Sequence, residues 1–454
     1  ISFIYGDKGY ANAEVVPNTV VNREELNVDI SVDIKQNDPV YIERVDISGN
    51  TRTRDKVIRR EIEVNEGDLY SSSGIERSKV NLQRVGYFEE ADIIESQGTT
   101  REKMKLDVDV VERPTGTFSV GLGFSSVDSI IGTVAISQKN LLGTGLKLDL
   151  SGTLSKSSSK YNIGFTNPWL FDKPLSAGFD LYNSERTYPD FDLQKFGGSL
   201  RFGFPIYKRS TKGYVTYRYE EVSIANVSPF ATFVILDQEG DTKVSSISGY
   251  ITYNSLNKAY FPTKGVNAVG SVTVAGGELG GTTNFAKFDA NVTKYVPLFW
   301  GTVLAVRGTA GHVFAFAGKD LPIYEKYFLG GISTLRGFET RKVGPTATRL
   351  VTPSDPADPT RLIEEYIGGD TMLLMNTEIV FPLFGQKNFR GILFYDTGNS
   401  WDGHIDLAEV RHGAGFGVRW VSPFGPIRLE LGFNLDQHDA EESSQFEFGM
   451  GTSF

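Results

Sequence analysis

The chain has 454 residues, enough for two or three domains or for a small domain followed by a large barrel. Its 46 basic and 56 acidic side chains give a net charge of −10 with no basic tail, which argues against a nucleic-acid partner. Cysteine is absent, which excludes disulfides, thiolate metal sites and cysteine nucleophiles; 49 glycines, 31 phenylalanines and 20 tyrosines favour twisted strands and interfacial girdles over helices.

No stretch approaches the roughly 18 uninterrupted apolar residues of a membrane helix, so any spanning must be by a closed sheet. The start at Ile1 has neither a charged nor an apolar signal region and enters on what reads as the second half of a small domain. The sequence is therefore expected to be part of a longer protein.

Residues 1–37 read as the C-terminal part of a small α+β domain. Residues 5–13 resemble a helix end, and residues 25–34 alternate Leu26, Val28, Ile30, Val32 and Ile34 with polar partners, the pattern of a half-buried strand. A second unit spans 38–113 and opens after Asp38-Pro39. It is predicted as a strand over 40–48, a Gly49-Asn50 turn, helices over 53–63 and 73–85 with Thr53 and Ser73 as N-caps, and strands over 91–96 and 104–111. The order is β-α-α-β-β.

From residue 114 to 454 helical periodicity disappears and period-two alternation runs to the end. Val215, Tyr217 and Tyr219 oppose Thr216, Arg218 and Glu220; Ile427, Leu429, Leu431 and Phe433 oppose Arg428, Glu430 and Asn434. Charge on one face and apolar groups on the other match a wet lumen inside lipid, whereas a soluble sandwich would turn its apolar face onto a partner sheet. About sixteen such segments can be counted, an even number as bacterial barrels require, so the fold class is mainly β, a sixteen-stranded transmembrane barrel. The connections alternate between short Pro- and aromatic-rich turns, such as Asn167-Pro168-Trp169 and Phe381-Pro382-Leu383-Phe384, and longer polar loops over 225–241, 399–410 and 436–443. These are two membrane rims, with both chain ends on the short-turn side.

One connection breaks this rhythm. Residues of about 318–369 form a long loop carrying Gly330-Gly331-Ile332-Ser333-Thr334-Leu335-Arg336-Gly337-Phe338. Compact domains seldom hold so long a loop unless it is functional, and an inward-folding plug with one fixed arginine is the economical reading.

A β-α-α-β-β domain, then a barrel, then a Gly-rich loop with Leu335-Arg336-Gly337-Phe338 and a terminal aromatic, resembles the BamA family of bacterial outer-membrane protein assembly factors. The resemblance covers essentially the whole chain. It implies that 38–113 is the last POTRA domain, that 1–37 is the tail of the preceding one, and that the protein is a core insertase for other outer-membrane barrels. It further implies a location in the bacterial outer membrane with the POTRA arm in the periplasm. The implied partners are unfolded barrel clients, accessory assembly lipoproteins, periplasmic chaperones and outer-membrane lipid, with no nucleotide, cofactor or enzymatic step. A two-partner-type polypeptide secretion pore of the same superfamily is the alternative, and a passive porin is weakened by the soluble arm and the plug.

The family's loop arginine folds into the lumen onto wall acids, and the matching positions are Arg336 with Glu378 and Asp396. A guanidinium fork on carboxylates contributes on the order of 1.5–3 kcal/mol, enough to hold a loop but not a barrel. The two strands that must pair to close the sheet carry Gly121 and Gly123 at one end and Gly449 and Gly451 at the other. Four strand-interior glycines weaken a seam by about 2–4 kcal/mol, less than the several kcal/mol per backbone group exposed in lipid. Glycine alone cannot open the seam, whereas an incoming strand that re-pairs those groups can. The abundance of glycine in the chain is the competing explanation. Phe446, Phe448, Met450 and Phe454 alternate outward in the last strand and resemble the C-terminal signal of such clients.

Catalytic and metal readings find no support. His312, His404, His412 and His438 are scattered, with His312 and His404 read as lumen or loop residues, and no nucleophile elbow precedes them. Gly330-Gly331 lacks a phosphate-loop lysine, and Asp396, Asn399 and Asp402 lack the bidentate glutamate of a calcium loop.

Overall fold

The computed structural model describes every residue except 24–26, 208–209, 230, 259, 351–361, 387, 423–424, 439–440 and 451–454. Two compact units emerge, one of residues 1–117 with 137–148 and one of 118–136 with 149–454.

The first unit begins with helix α1 (Ser2–Gly6) and an antiparallel hairpin of β1 (Glu14–Asn22) and β2 (Asn27–Lys35). The hairpin corrects the half-buried strand expected over 25–34. Val16, Val20, Val28 and Ile30 are all exposed, because two strands alone offer no second layer to cover them. Leu26 lies outside the described residues.

Beyond it, β3 (Tyr41–Ser48), α2 (Asp55–Arg59), α3 (Ser72–Val85), β4 (Phe88–Gln97) and β5 (Lys103–Glu112) give the expected β-α-α-β-β order. The sheet runs β3-β5-β4, with β3 and β5 parallel. Its core holds Ile42, Ile58, Leu82, Leu106 and Val108. The expected caps both move. Ser71, not Ser73, caps α3 by accepting the Gly74 N–H, and Gly86 ends the helix at φ 75°.

Thr53 caps nothing; α2 is one short turn that starts after extended Arg54. Thr53 is held from a distance in sequence instead: its N–H donates to Glu112 Oε1 at 2.6 Å, and its hydroxyl accepts from Asn140 at 2.9 Å. Glu112 also accepts from Thr51 Oγ1 and the Arg52 N–H.

A closed antiparallel barrel is built mainly from residues of the second unit. Its strands begin with β6 (Gly116–Ser125), β7 (Ser129–Leu141), β8 (Leu146–Ser155), β9 (Ser158–Asn167), β10 (Ser176–Thr187) and β11 (Asp192–Tyr207). They continue through β12 (Thr211–Ala225), then, after the short loop helix α4 (Phe233–Leu236), β13 (Gly240–Asn254), β14 (Gly265–Ala275), β15 (Phe285–Pro297) and β16 (Val303–Ala315). A small hairpin of β17 (Thr346–Leu350) and β18 (Leu362–Tyr366) lies in the long loop. The wall resumes with β19 (Thr371–Pro382), β20 (Phe389–Trp401), β21 (Arg411–Ser422), β22 (Gly425–Asn434) and β23 (Ser444–Met450), and β23 meets β6.

The wall thus has the expected sixteen strands, and no described helix is long and apolar enough to cross a membrane. Parity follows the sequence: Val215, Tyr217 and Tyr219 are exposed while Thr216 and Glu220, on the alternate positions, are buried. His312 corrects its expected place in lumen or loop. It sits on the outward parity of β16, its ring centroid 5.8 Å from that of exposed Phe314, with Nδ1 2.8 Å from Thr371 Oγ1.

Burial alone would raise the Glu112 pKa, but the hydrogen bonds from Thr53, Thr51 and Arg52 prevail and hold it at about 2, below the ordinary 4.5. A lowered folded value means that the carboxylate stabilises the 49–54 turn above pH 4.5 and loses that contribution as pH falls through about 2. Hydrogen-exchange protection of the Arg52 and Thr53 amides should therefore drop across this window in the parent chain, and be low and insensitive to pH in Glu112→Gln.

Candidate functional site

The loop between β16 and β19 turns back on itself at Gly330–Gly331. Gly331 donates its N–H to the carbonyls of Leu335 and Phe338, each at 3.1 Å, and Thr334 Oγ1 donates to the Gly330 carbonyl at 3.0 Å. Gly330 and Gly337 lie at φ 102° and 91°, a region that favours glycine. Gly337 has a second reason to lack a side chain, since a Cβ there would sit 2.7 Å from the carbonyl of Phe433 on β22. The wall is pared back in answer: a Cβ on Gly432 would sit 2.7 Å from the Gly337 Cα, and one on Gly413 would strike the Arg336 carbonyl.

This close approach delivers Arg336 to the wall almost fully desolvated, 3% exposed beside Asp396 at 0% and Glu430 at 1%. Its Nε and Nη2 donate to the two oxygens of Asp396 at 2.6 and 2.7 Å. Nη1 donates to Glu378 at 2.6 Å and to Glu430 at 3.1 Å, and the guanidinium carbon lies 3.8 Å from the centroid of the Phe394 ring. Arg419 on β21 bridges the same acids, donating to both oxygens of Glu378 at 2.7 and 2.9 Å and to Glu430 at 2.9 Å.

Arg307 supports the turn from the other side through the Ser333 carbonyl and Asn376, whose amide donates to the Thr334 carbonyl. Leu335 and Phe338 flank the arginine and are buried in an apolar cluster with Leu329, Val343 and Ile323. Arg411 lies over Phe338 with its carbon 4.9 Å from the ring centroid.

All six expected plug residues therefore meet: Leu335, Arg336, Gly337 and Phe338 on the loop, Glu378 on β19 and Asp396 on β20. Sequence reasoning missed Glu430, Arg419 and Phe394. Parity places Glu430 and Arg419 inward, but only the strand register sets them at the height of Arg336.

The seam residues are arranged separately. Among the described residues β23 meets β6 at the register pairs Gly449↔Ser125 and Met450↔Phe124, with Ser126 N–H donating to the Phe448 carbonyl. The Phe124 and Phe448 ring centroids are 5.5 Å apart across it. A Cβ on Gly123 would sit 2.7 Å from the Met450 carbonyl, so that glycine permits close strand approach, while Gly121 meets only Thr133, at 4.0 Å. Phe446 is exposed and alternates with inward Glu447; Gly451 and Phe454 lie outside the described residues. Glu447 is buried and stands in register with Glu430 on the neighbouring strand.

Residues 140–454 match the Omp85 superfamily domain, and residues 40–113 match POTRA, the surface antigen variable number repeat. The chain belongs to the Omp85 superfamily. This Omp85 chain is 31% identical over 459 residues to outer membrane protein assembly factor BamA of Nitratidesulfovibrio vulgaris, an alignment covering 100% of it and 56% of that relative. Identity to BamA of Neisseria meningitidis serogroup B is 26%, over 99% of the chain and 61% of the relative. The chain thus spans little more than half the length of these curated relatives. The crystal structure of BamA from Haemophilus ducreyi lacking POTRA domains 1-3 superposes with a TM-score of 0.82 at 25% identity, covering 99% of this chain and 91% of that one.

Because Arg336 is desolvated, removing one partner leaves a buried charge uncompensated, at a penalty of about 3–5 kcal/mol for such pairs. A double-mutant cycle with Arg336→Ala and Asp396→Ala, followed by urea unfolding in lipid, should give a coupling above about 0.5 kcal/mol. Additive effects would mean that the contact locks nothing.

Proposed function

We propose that this chain folds and inserts other β-barrels into the bacterial outer membrane, with its POTRA unit in the periplasm. The carrying observation is the plug: the loop of a sixteen-stranded wall is held inside by Arg336 on three carboxylates. A pore for passive diffusion has no use for such a lock, and the BamA relatives are named assembly factors.

The route is strand templating at the β6–β23 seam. Opening it in lipid exposes backbone donors and acceptors at several kcal/mol each. A client strand that pairs with the freed edge satisfies them as it enters, so opening and insertion become one exchange of hydrogen bonds. The driving force is the burial of the client's own apolar strands in lipid, and no nucleotide is consumed.

In this reading Gly123 and Gly449 let the two edges lie close and part without side-chain interlock. The strand ending in Phe446, Phe448, Met450 and Phe454 carries the same outward apolar signal that clients present. Unfolded barrels, periplasmic chaperones and accessory lipoproteins meet the POTRA unit through strand edges. The domain division is 1–37, 38–113 and 114–454, and the lock residues keep the bore shut while the seam works.

Cysteines at Ser125 and Gly449, a register pair, test the seam. In liposomes the disulfide should reduce the folding rate of an unrelated client barrel to that of protein-free vesicles, with recovery on reduction. Full activity with the seam locked would rule out lateral templating. A large conductance without faster client folding would favour the secretion-pore reading.

A further inference from the structure

The long loop is fastened to the wall at a second place, through residues that Arg336 does not touch. Residues 321–329 form a stem. Tyr327 and Gly369 exchange both backbone hydrogen bonds, at 2.8 and 2.9 Å, and Leu329 and Val343 do the same at 3.3 and 3.1 Å. Beyond these pairs lies the tip, residues 330–342, which carries Arg336. Gly330 and Gly331, at φ 102° and 92°, join stem to tip.

The stem has wall partners of its own. The Tyr327 hydroxyl donates to Asp289 on β15 at 2.7 Å, and Lys287 of the same strand donates to the Glu325 carboxylate at 3.1 Å and to the Glu325 carbonyl at 3.0 Å. The Lys287 ammonium also lies 4.8 Å from the Tyr327 ring centroid, so one lysine holds both residues. On β13, Thr242 gives its one hydroxyl proton to the Val222 carbonyl at 3.2 Å and therefore accepts from the Tyr324 hydroxyl, also at 3.2 Å. Gln238 fixes the start of the stem, accepting the Ile323 N–H at 2.8 Å and donating to the Leu321 carbonyl at 3.2 Å.

The wall is cut away here as it is for the tip. A Cβ on Gly311 of β16 would lie 2.5 Å from the Tyr327 ring, so this glycine makes room for the stem as Gly413 and Gly432 do for the arginine turn. The two sets of polar partners do not overlap: Arg336 reaches acids on β19, β20 and β22, whereas Asp289, Lys287, Thr242 and Gln238 precede β16 in the chain. Groups without a shared partner contribute nearly additively, so loss of Arg336 removes no polar contact of the stem. Only the apolar cluster is common, with Leu335 and Phe338 of the tip packing beside Ile323, Leu329 and Val343.

We propose that residues 321–329 are a second, self-sufficient seat for the loop: when Arg336 leaves its acids, the tip swings about Gly330–Gly331 while the stem stays on the wall. A stem that stays put holds the freed arginine on a short tether, so re-seating is an intramolecular step at high effective concentration. The claim concerns the loop alone and holds whether the bore serves insertion or export.

Hydrogen exchange read by mass spectrometry, on the full chain in phospholipid vesicles, reports on the two parts separately. In Arg336→Ala, peptides covering 330–342 should exchange about tenfold faster or more, while those covering 321–329 should change by less than about twofold. In Lys287→Met combined with Tyr327→Phe, it is 321–329 that should exchange about tenfold faster. Gly311→Ala, which crowds Tyr327 and leaves every charge in place, should act on the same segment and replaces the double variant if that does not fold. Equal loss of protection in both segments of Arg336→Ala, or failure of that variant to fold, would overturn the proposal, because the stem would then depend on the arginine. A tip that stays protected in Arg336→Ala, or a stem unchanged when its own contacts are altered, would overturn it as well.

Discussion

A backbone N–H or carbonyl left unpaired in hydrocarbon costs several kcal/mol, and the rest of this structure follows from that constraint. A sheet can satisfy it only by closing. Closure of sixteen antiparallel strands forces an apolar exterior, and the alternation along each strand then forces polar and charged residues inward. A bore lined this way is a place where a loop arginine can find acids, and where glycines in both loop and wall decide how closely it may approach them.

The lock and the closing strand share one carboxylate neighbourhood. Glu430 on β22 receives both Arg336 and Arg419, and directly across from it in register stands Glu447 of β23. Moving the plug turn would take the Arg336 guanidinium away from Glu430, the register partner of the last strand's only described inward acid. The loop arginine thus stands one strand away from the closing strand, separated from it only by the Glu430–Glu447 register pair.

How much of this was legible depends on the distance over which each feature is encoded. Barrel strands announce themselves through alternation, so all sixteen were countable. The β1 strand was not, because Val15-Val16 and Val20-Val21 are adjacent apolar pairs that break period two. Thr53 looked like a helix cap because capping is a local rule; its true partners, Glu112 and Asn140, are 59 and 87 positions away. Glu378 and Asp396 were reachable through the resemblance and parity. Glu430 and Arg419 needed the register of four strands, which no single-strand pattern contains.

The energetics of the arginine site favour two arrangements over a continuum. With the loop seated, five charged groups interact where the effective dielectric is on the order of 20, and each close pair is worth roughly four times what it would be in bulk water. If the loop lifts far enough for water to enter, that factor is lost for every pair together, while rehydration of the freed arginine and carboxylates offsets much of the loss. The intermediate position, with contacts stretched and water still excluded, is the unfavourable one. A plug held by a dry charge cluster is thus either seated or released, and the apolar flanks Leu335 and Phe338, both buried, sharpen the division because their burial is lost in the same movement.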